Sequence, residues 1–362
     1  MTRATVGMVV SPIVTGSRFP TWDGALWVGE IDRADVHASS HRDVIALAGA
    51  EGYRRARFLV RDHGEPLGFV EADIADRGRI GATIDVRTLQ RAIRPMPASE
   101  RRPAAGQELP SVTVVLCTDG AAAETMRSVL ANDHPDFDVV VVSRGADEPR
   151  PTVVEIGGRR VTTIAAPPGG LAASRNAGLL AAAGDVVAFV DEGAVVDERW
   201  LGAIVSAFAA DPDVACVTGL VPAAELRTPA QRWHDDRTAA ARTVRRRVHR
   251  LSDGDGDGDG DGDGDGDRDW TGWHPFAAAE YGTGANLAVH RSTALRIGGF
   301  DTAFGPGTRV GGATTSISSH GCSSPDPRSP SNPPRSHGSG APTTSRRSGA
   351  PPLHTATDSE PG

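Results

Sequence analysis

The alternation of short apolar runs with helical segments between residues 111 and 220 constrains the fold of this chain more than any other feature. The runs SVTVVLCT, DVVVVS, VTTIAA and DVVAFVD are rich in apolar and β-branched residues, and segments with helical patterning separate them. Such runs are typical of strands that are buried on both faces, as in a parallel sheet covered by helices. We therefore predict an α/β domain with a mostly parallel sheet and helices on both faces.

The remaining sequence divides where its composition changes. Residues 1–98 predict a small α+β unit with the strand ALWVGEID, the hairpin RARFLVRDHGEPLGFVEADI and the helix VRTLQRAI. Residues 99–110 are polar, contain two prolines and predict a linker, and residues 111–313 form the predicted α/β domain. Residues 314–362 contain one Ile and one Leu, which is too little apolar material for a core, so we predict a disordered tail.

Charge and composition exclude several classes of protein. The formal net charge of −8 argues against nucleic-acid binding by bulk charge. Cys117, Cys216 and Cys322 are far apart and give neither metal-site nor disulfide spacing. No apolar run is long enough for a transmembrane helix, and the start of the chain lacks the apolar core of a signal peptide. We expect a cytoplasmic location, which includes the inner membrane surface.

Polar residues follow the predicted strands at their carboxyl ends, where sheets of this kind bind ligands. These residues are Thr118 and Asp119, Ser143 and Arg144, and Asp191 and Glu192. They are spread along the sequence, yet a parallel sheet would bring them to one edge. Asp197, further along, is predicted instead to be the N-cap of the helix that carries Trp200.

An almost perfect alternation of Asp and Gly occupies residues 253–269, within a loop predicted at residues 252–269. We interpret it as a flexible, solvated loop within the α/β domain. Part of the repeat also fits the start of an EF-hand loop, which gives a calcium-binding protein as an alternative.

From Ser111 to Gly312 the sequence resembles family 2 glycosyltransferases, nucleotide-diphospho-sugar transferases with the Rossmann-like GT-A fold. The resemblance is carried by VTVVLCT, DFDVVVVS, PPGGLAASRNAGLLAAAGDVVAFVDE, DERWLGAIVSAF, VACVTGLVPAAELRTPAQRW and YGTGANLAVHRSTALRIGGFD. It implies inverting transfer of a sugar from a nucleotide-sugar donor to an acceptor hydroxyl, assisted by a divalent cation, Mn²⁺ or Mg²⁺. The implied acceptor is a glycan or a lipid-linked molecule that the sequence does not identify.

The resemblance also implies roles for individual residues. Asp191 and Glu192 stand where the family holds its cation, and Gly193 follows them without a side chain. Gly284 and Asn286 would lie on the acceptor side. The implied contacts of the nucleotide-sugar are Cys117, Thr118, Asp119, Ser143 (where the family usually has Asp), Arg175, Asn176 and Asp191.

The sequence departs from the family after Gly312. The family continues with Glu-Asp, whose Asp is the expected general base, whereas this chain has Ala313 and Thr314. The abrupt change predicts a truncated or frame-shifted end and leaves no catalytic residue to assign. Two functions stay open: an active glycosyltransferase, and a non-catalytic remnant that binds a nucleotide or a partner.

Overall fold

The computed structural model describes residues 6–14, 19–40, 43–97, 109–144, 151–237, 244, 248 and 282–303. Most of the predicted linker, the Asp-Gly loop, Ala313, Thr314 and the predicted tail lie outside the described residues. The boundaries predicted for these segments therefore stay predictions.

The N-terminal part contains two small sheets and two helices. The first sheet has the order β1-β3-β7-β6 and the second has the order β2-β4-β5. The predicted hairpin is present, since β4 and β5 pair antiparallel about the turn at His63 and Gly64. The elements are β1 (Val6–Val10), β2 (Leu26–Asp32), α1 (Arg33–Ala38), β3 (Val44–Leu47), β4 (Arg55–Asp62), β5 (Glu65–Asp73), β6 (Ala75–Asp76), a 3₁₀ turn (Gly78–Ile80), β7 (Ala82–Asp85) and α2 (Val86–Ile93).

One apolar core holds this N-terminal part together. Trp27 of β2 packs on Phe58 of β4 with 5.7 Å between ring centroids. Ile45, Ile84 and Leu89 from β3, β7 and α2 are fully buried in the same cluster. Because both sheets and a helix contribute to it, none of them has a separate core.

The second part contains a seven-stranded sheet in the order β10-β11-β9-β8-β12-β14-β13. Strands β11, β9, β8 and β12 are parallel to one another, whereas β10 and β14 run antiparallel to their neighbours. The elements are β8 (Val112–Thr118), α3 (Ala123–Leu130), β9 (Phe137–Ser143), β10 (Thr152–Ile156), β11 (Arg159–Ala165), α4 (Gly170–Ala181), β12 (Val186–Asp191), α5 (Trp200–Ala210), β13 (Cys216–Thr218), α6 (Pro229–Arg237), β14 (Asn286–His290) and α7 (Arg291–Arg296).

Helices cover both faces of this sheet, which confirms the predicted α/β class. Successive side chains of a strand point to opposite faces. Leu116 of β8 accordingly packs in the same cluster as Leu201 of α5. Cys117, the next residue, packs in the cluster that contains Leu179 of α4. The apolar runs of the sequence are therefore strands that are buried on both sides.

The two parts are in contact through the β2-β4-β5 sheet. The backbone N–H of Leu26 donates to the carbonyl of Leu226 at 2.9 Å. The Leu226 side chain is fully buried beside Leu26 and Val28. Arg57 of β4 forms a buried ion pair with Asp235 of α6. The segment that follows β13 is thus packed on the N-terminal part.

Candidate functional site

The strand order reverses between β8 and β12. From β8 the chain continues to β9 and β11 on one side, whereas β12 lies on the other side of β8. In open α/β sheets the crevice at such a reversal, outside the carboxyl ends of the strands, is the usual ligand site. The strand ends are level there, because Thr118 is paired with Ser143, and Cys117 with Asp191.

An ion pair joins the ends of β8 and β9. The Nε and Nη2 atoms of Arg144 each lie 2.8 Å from an oxygen of the Asp119 carboxylate. Such a two-point contact is the strong form of the arginine–carboxylate pair. Both side chains are partly exposed, so a ligand can reach them.

Glu192 joins the end of β12 to the loop after β8. Its Oε2 accepts the N–H of Asp119 at 2.8 Å, and its Oε1 accepts the N–H of Ala121 at 2.7 Å. These backbone donors, the Asp119 N–H first among them, hold the pKa of Glu192 below its usual value. The Thr118 hydroxyl and the charge of Arg144 act in the same direction.

A second ion pair joins α4 to β12. Nη2 of Arg175 lies 2.7 Å from Oδ1 of Asp191 and also donates to the carbonyl of Gly284 at 3.0 Å. The Arg175 side chain is 3% exposed and that of Asp191 is 42% exposed. A Cβ on Gly284 would stand 2.6 Å from Nη1 of Arg175, so the guanidinium occupies its position only because residue 284 is a glycine.

Two predicted ligand-binding amides make structural contacts. The Asn176 side chain donates to the carbonyl of Phe300 and accepts its N–H, both at 2.8 Å. Asn286 accepts the indole N–H of Trp200 at 2.8 Å and donates to the carbonyl of Leu220. The contacts predicted for them, Asn176 with the nucleotide and Asn286 with the acceptor, stay predictions.

Cys117 and Ser143 also lie at this edge. Burial raises the pKa of the Cys117 thiol to about 11, so the thiol is protonated at neutral pH and is a poor nucleophile. Ser143 is half-buried, and its carbonyl accepts the N–H of Ala166, which joins β9 to the residue that follows β11. Their predicted contact with the nucleotide stays a prediction.

Asp191 and Glu192, the residues predicted to bind a cation, offer few free oxygen ligands. A hard divalent cation takes six or more oxygen ligands. Both oxygens of Glu192 accept backbone N–H groups, and one oxygen of Asp191 accepts from Arg175. Among the residues that the structure describes, no group of three or more His, Cys, Asp or Glu side chains could hold a metal ion. The described side chains do not fit a cation centre of their own.

The N-terminal part contacts the segment that follows β12, which sequence analysis missed. Nη1 of Arg61 lies 2.8 Å from Oδ2 of Asp197, and Nη1 of Arg199 donates to the carbonyl of His63 at 2.7 Å. The only signal in the sequence is the presence of Arg55, Arg57 and Arg61 on one face of an otherwise apolar strand.

The predicted capping role of Asp197 needs a correction. Helix α5 begins at Trp200, and its N-cap residue is Arg199. Asp197 accepts the N–H of Arg199 at 2.9 Å, so its carboxylate stabilises the turn before the helix rather than the first turn of the helix. The pairing with Arg61 favours this earlier position.

Comparison with protein families gives the lineage of this site. Residues 119–259 match the family model described as glycosyl transferase family 2. Over these residues, less than half of its length, the chain is similar to family 2 glycosyltransferases. The resemblance seen in the sequence is thereby confirmed over residues 119–259.

Among the solved structures that resemble this chain, three illustrate how weak the likeness is. A mannosyltransferase, PcManGT from Pyrobaculum calidifontis in complex with GDP-Man and Mn²⁺, is 20% identical with a TM-score of 0.34, over 57% of this chain and 52% of its own. TarS residues 1–349 from S. aureus are 20% identical with a TM-score of 0.26, over 31% and 36%. Glucosyl-3-phosphoglycerate synthase from Mycobacterium tuberculosis, in complex with Mn²⁺, UDP and glucosyl-3-phosphoglycerate, is 18% identical with a TM-score of 0.24, over 31% and 44%.

The chain therefore spans about half of the length of the mannosyltransferase and less than half of the other two. No curated protein sequence matches it. In the described part of the chain, none of the helices has the length and apolarity needed to cross a membrane.

Proposed function

We propose that the family 2 domain binds a nucleotide-diphospho-sugar in the crevice between the ends of β8 and β12, and that it is by descent a transferase of that sugar to an acceptor hydroxyl. One observation carries the proposal. Side chains from three strand ends and one helix, far apart in the sequence, meet at this edge through the pairs Asp119–Arg144 and Arg175–Asp191.

The electrostatics of the edge suit a diphosphate. Helix α4 has 12 residues and begins after Gly169, which has no side chain with which to cap it. The first N–H groups of a helix and its partial positive charge favour phosphate. Arg144, which follows β9, and Arg175, on α4, each carry a formal positive charge, and each is paired with a carboxylate. Groups fixed in this way would also stabilise the charge that builds on the diphosphate as the bond to the sugar breaks.

The residues that follow β8 and β9 would hold the nucleoside. Thr118 is buried and its Oγ1 accepts the N–H of Gly120, which fixes the loop after β8. Asp119 and the Ser143 hydroxyl offer hydrogen-bonding groups to a base or ribose. A serine at the end of β9 gives a neutral bond where the family usually has a charge-assisted one, which is roughly twice as strong.

Binding without turnover is the second candidate function. It is favoured by Ala313 and Thr314, which replace the Glu-Asp that supplies the general base in the family. A positioned general base is worth about 10²–10⁴-fold in rate. Its loss would leave a domain that recognises the donor but transfers the sugar slowly or not at all.

Calorimetric titration of the full chain with UDP and GDP, followed by assays of donor hydrolysis and transfer, separates these functions. Binding with turnover supports the enzyme, and binding without turnover supports the remnant. Arg144→Met should weaken binding, whereas Arg160→Met, which changes an exposed arginine on β11, should leave it unchanged. If neither nucleotide binds, the proposed function is rejected.

A further inference from the structure

Each carboxylate that the structure describes in the crevice has a partner within the protein. Asp119 is paired with Arg144, and Asp191 is paired with Arg175. Both oxygens of Glu192 accept backbone N–H groups from the loop after β8. The partners are the guanidinium of Arg144, which follows β9, the guanidinium of Arg175 on α4, and two backbone N–H groups, so two positive charges are held among the three carboxylates.

Asp197, the next acidic residue along the chain, also accepts hydrogen bonds from the protein. Gly193 provides no side chain, and its N–H donates to Oγ1 of Thr125 at 3.1 Å. Asp197 accepts the N–H of Arg199 with one oxygen and pairs with Arg61 through the other. From residue 191 to residue 197, each side-chain carboxylate thus has a donor from the protein.

A divalent cation at this edge would compete with these donors. Arg175 engages Oδ1 of Asp191, and backbone N–H groups engage both oxygens of Glu192, so a cation that took these oxygens would leave those donors without acceptors. Unpaired donors are costly, most of all for Arg175, which is 3% exposed. The arginines, in contrast, are charged at every physiological pH.

We propose that nucleotide binding at this site is independent of divalent cations, because Arg144, Arg175 and the N-terminus of α4 supply the positive charge that a cation would otherwise bring. Arg144, whose side chain is 31% exposed, exchanges Asp119 for phosphate oxygens when the nucleotide binds. Arg175 remains on Asp191 and keeps that carboxylate from repelling the diphosphate. This inference rests on the proposed function, since it concerns the same site.

The test measures UDP and GDP binding to the full chain by calorimetry, once with EDTA and once with excess Mn²⁺. The dissociation constants should agree within about threefold. A nucleotide that binds only with Mn²⁺, or more than about tenfold tighter with it, overturns the inference. Electron paramagnetic resonance should show the same amount of bound Mn²⁺ for the full chain and for its Asp191→Asn variant, a comparison that subtracts any ion held by the Asp-Gly repeat, and a loss of bound Mn²⁺ in the variant also overturns it.

Failure of the proposed function and failure of cation independence give different experimental results. If neither nucleotide binds under either condition, the proposed function fails, and the resonance spectrum still decides whether the carboxylates hold an ion. Tight nucleotide binding in Mn²⁺ alone, in contrast, supports the proposed function and rejects cation independence.

Gly193 offers a matched pair of variants. Gly193 has a φ of +85°, and a Cβ there would meet no atom within 4 Å. Both Asp and Asn tolerate this left-handed conformation better than most residues do. Gly193→Asp restores a third carboxylate and should make binding tighter with Mn²⁺ by at least about threefold, whereas Gly193→Asn should show no response. Equal behaviour of the two variants would contradict the role assigned to the missing carboxylate. Circular dichroism checks that both are folded.

Discussion

At the scale of single residues, the crevice is organised by donors that hold carboxylates. Glu192 provides the plainest case, because its two oxygens take one N–H each from residues 119 and 121. The carboxylate thereby fixes the loop that the nucleotide would touch. Its contribution to stability depends on its charge, which makes it measurable by pH.

We expect Glu192→Gln to remove a pH-dependent part of the stability. The pKa of Glu192 is lower in the folded state than in the unfolded chain, where it is about 4.3. The carboxylate therefore stabilises the fold above the unfolded pKa, and this stabilisation is lost as the pH falls through the folded value. The free energy of unfolding of the wild type should exceed that of the variant at neutral pH. The difference should shrink below pH ~4.3.

Urea unfolding of both proteins across this pH range measures the difference. Glu124→Gln, which changes a glutamate in the first turn of α3, is the control. A Glu192→Gln difference that stays constant down to the lowest pH would contradict the role given to the carboxylate.

The position of Arg175 depends on the absence of a side chain at Gly284. We expect Gly284→Ala to push the guanidinium away from Asp191, since the new Cβ would lie 2.6 Å from Nη1. Nucleotide affinity should fall by about tenfold or more, because a charge-assisted contact worth roughly 1.5–3 kcal/mol is disturbed.

The matched control for Gly284 is Gly202→Ala in α5. There the nearest atom to the new Cβ would be 3.8 Å away, an ordinary contact. This variant should bind nucleotide like the wild type and should be slightly more stable, since alanine favours helix over glycine. If both variants bind like the wild type, Arg175 does not support the site through Asp191.

At the scale of elements, α6 is positioned by charge. The Arg57–Asp235 pair is buried, and Arg57 also donates twice to Glu71 on the neighbouring strand. We expect Asp235→Asn to lower the free energy of unfolding by about 1.5–3 kcal/mol, because it removes one buried charged hydrogen bond of Arg57 and leaves Glu71 as its remaining carboxylate. The control is Asp236→Asn, which changes an exposed pair with Arg232 and should cost under about 1 kcal/mol. Equal effects of the two variants in urea unfolding would contradict this account of α6.

Sequence patterns predicted the buried elements well. The strands β8, β9, β11 and β12 and the helix α2 appear where apolar runs or helical spacing placed them. The pattern could not reveal β10, since every one of its residues is exposed and it has no apolar alternation against a core. Strands of this kind are stabilised by pairing with a neighbour, here β11, and that pairing leaves little trace in local composition.

The contacts that the sequence did not predict at the site join residues that are far apart in the chain. The family resemblance predicts that Asp119, Arg175 and Asp191 lie in the crevice. It does not show from which donor each carboxylate accepts a hydrogen bond. The pairing of Arg61 with Asp197 and of Arg57 with Asp235 spans well over one hundred positions. Such pairs depend on how the N-terminal sheet packs, which no local pattern determines.

At the scale of the whole molecule, the N-terminal sheets and the α/β domain share an interface. Leu226 lies at its centre, with its side chain fully buried between the two parts. We expect a single unfolding transition, with coincident curves from far-UV circular dichroism and tryptophan fluorescence. Leu226→Ala should lower stability by about 2–5 kcal/mol and shift both curves together.

The matched control for Leu226→Ala is Val195→Ala, which changes an aliphatic side chain that is 58% exposed and should shift neither curve. Two separate transitions in the wild type would show that the parts fold independently and that the interface contributes little.

The central claim, a nucleotide-diphospho-sugar site at the carboxyl ends of β8 and β12, is tested most directly by hydrogen–deuterium exchange with saturating UDP or GDP. We predict slower exchange in peptides that cover residues 117–122, 168–176 and 190–194, and unchanged exchange in the hairpin at residues 55–73. Protection confined to the hairpin, or no protection anywhere despite measured binding, would contradict it.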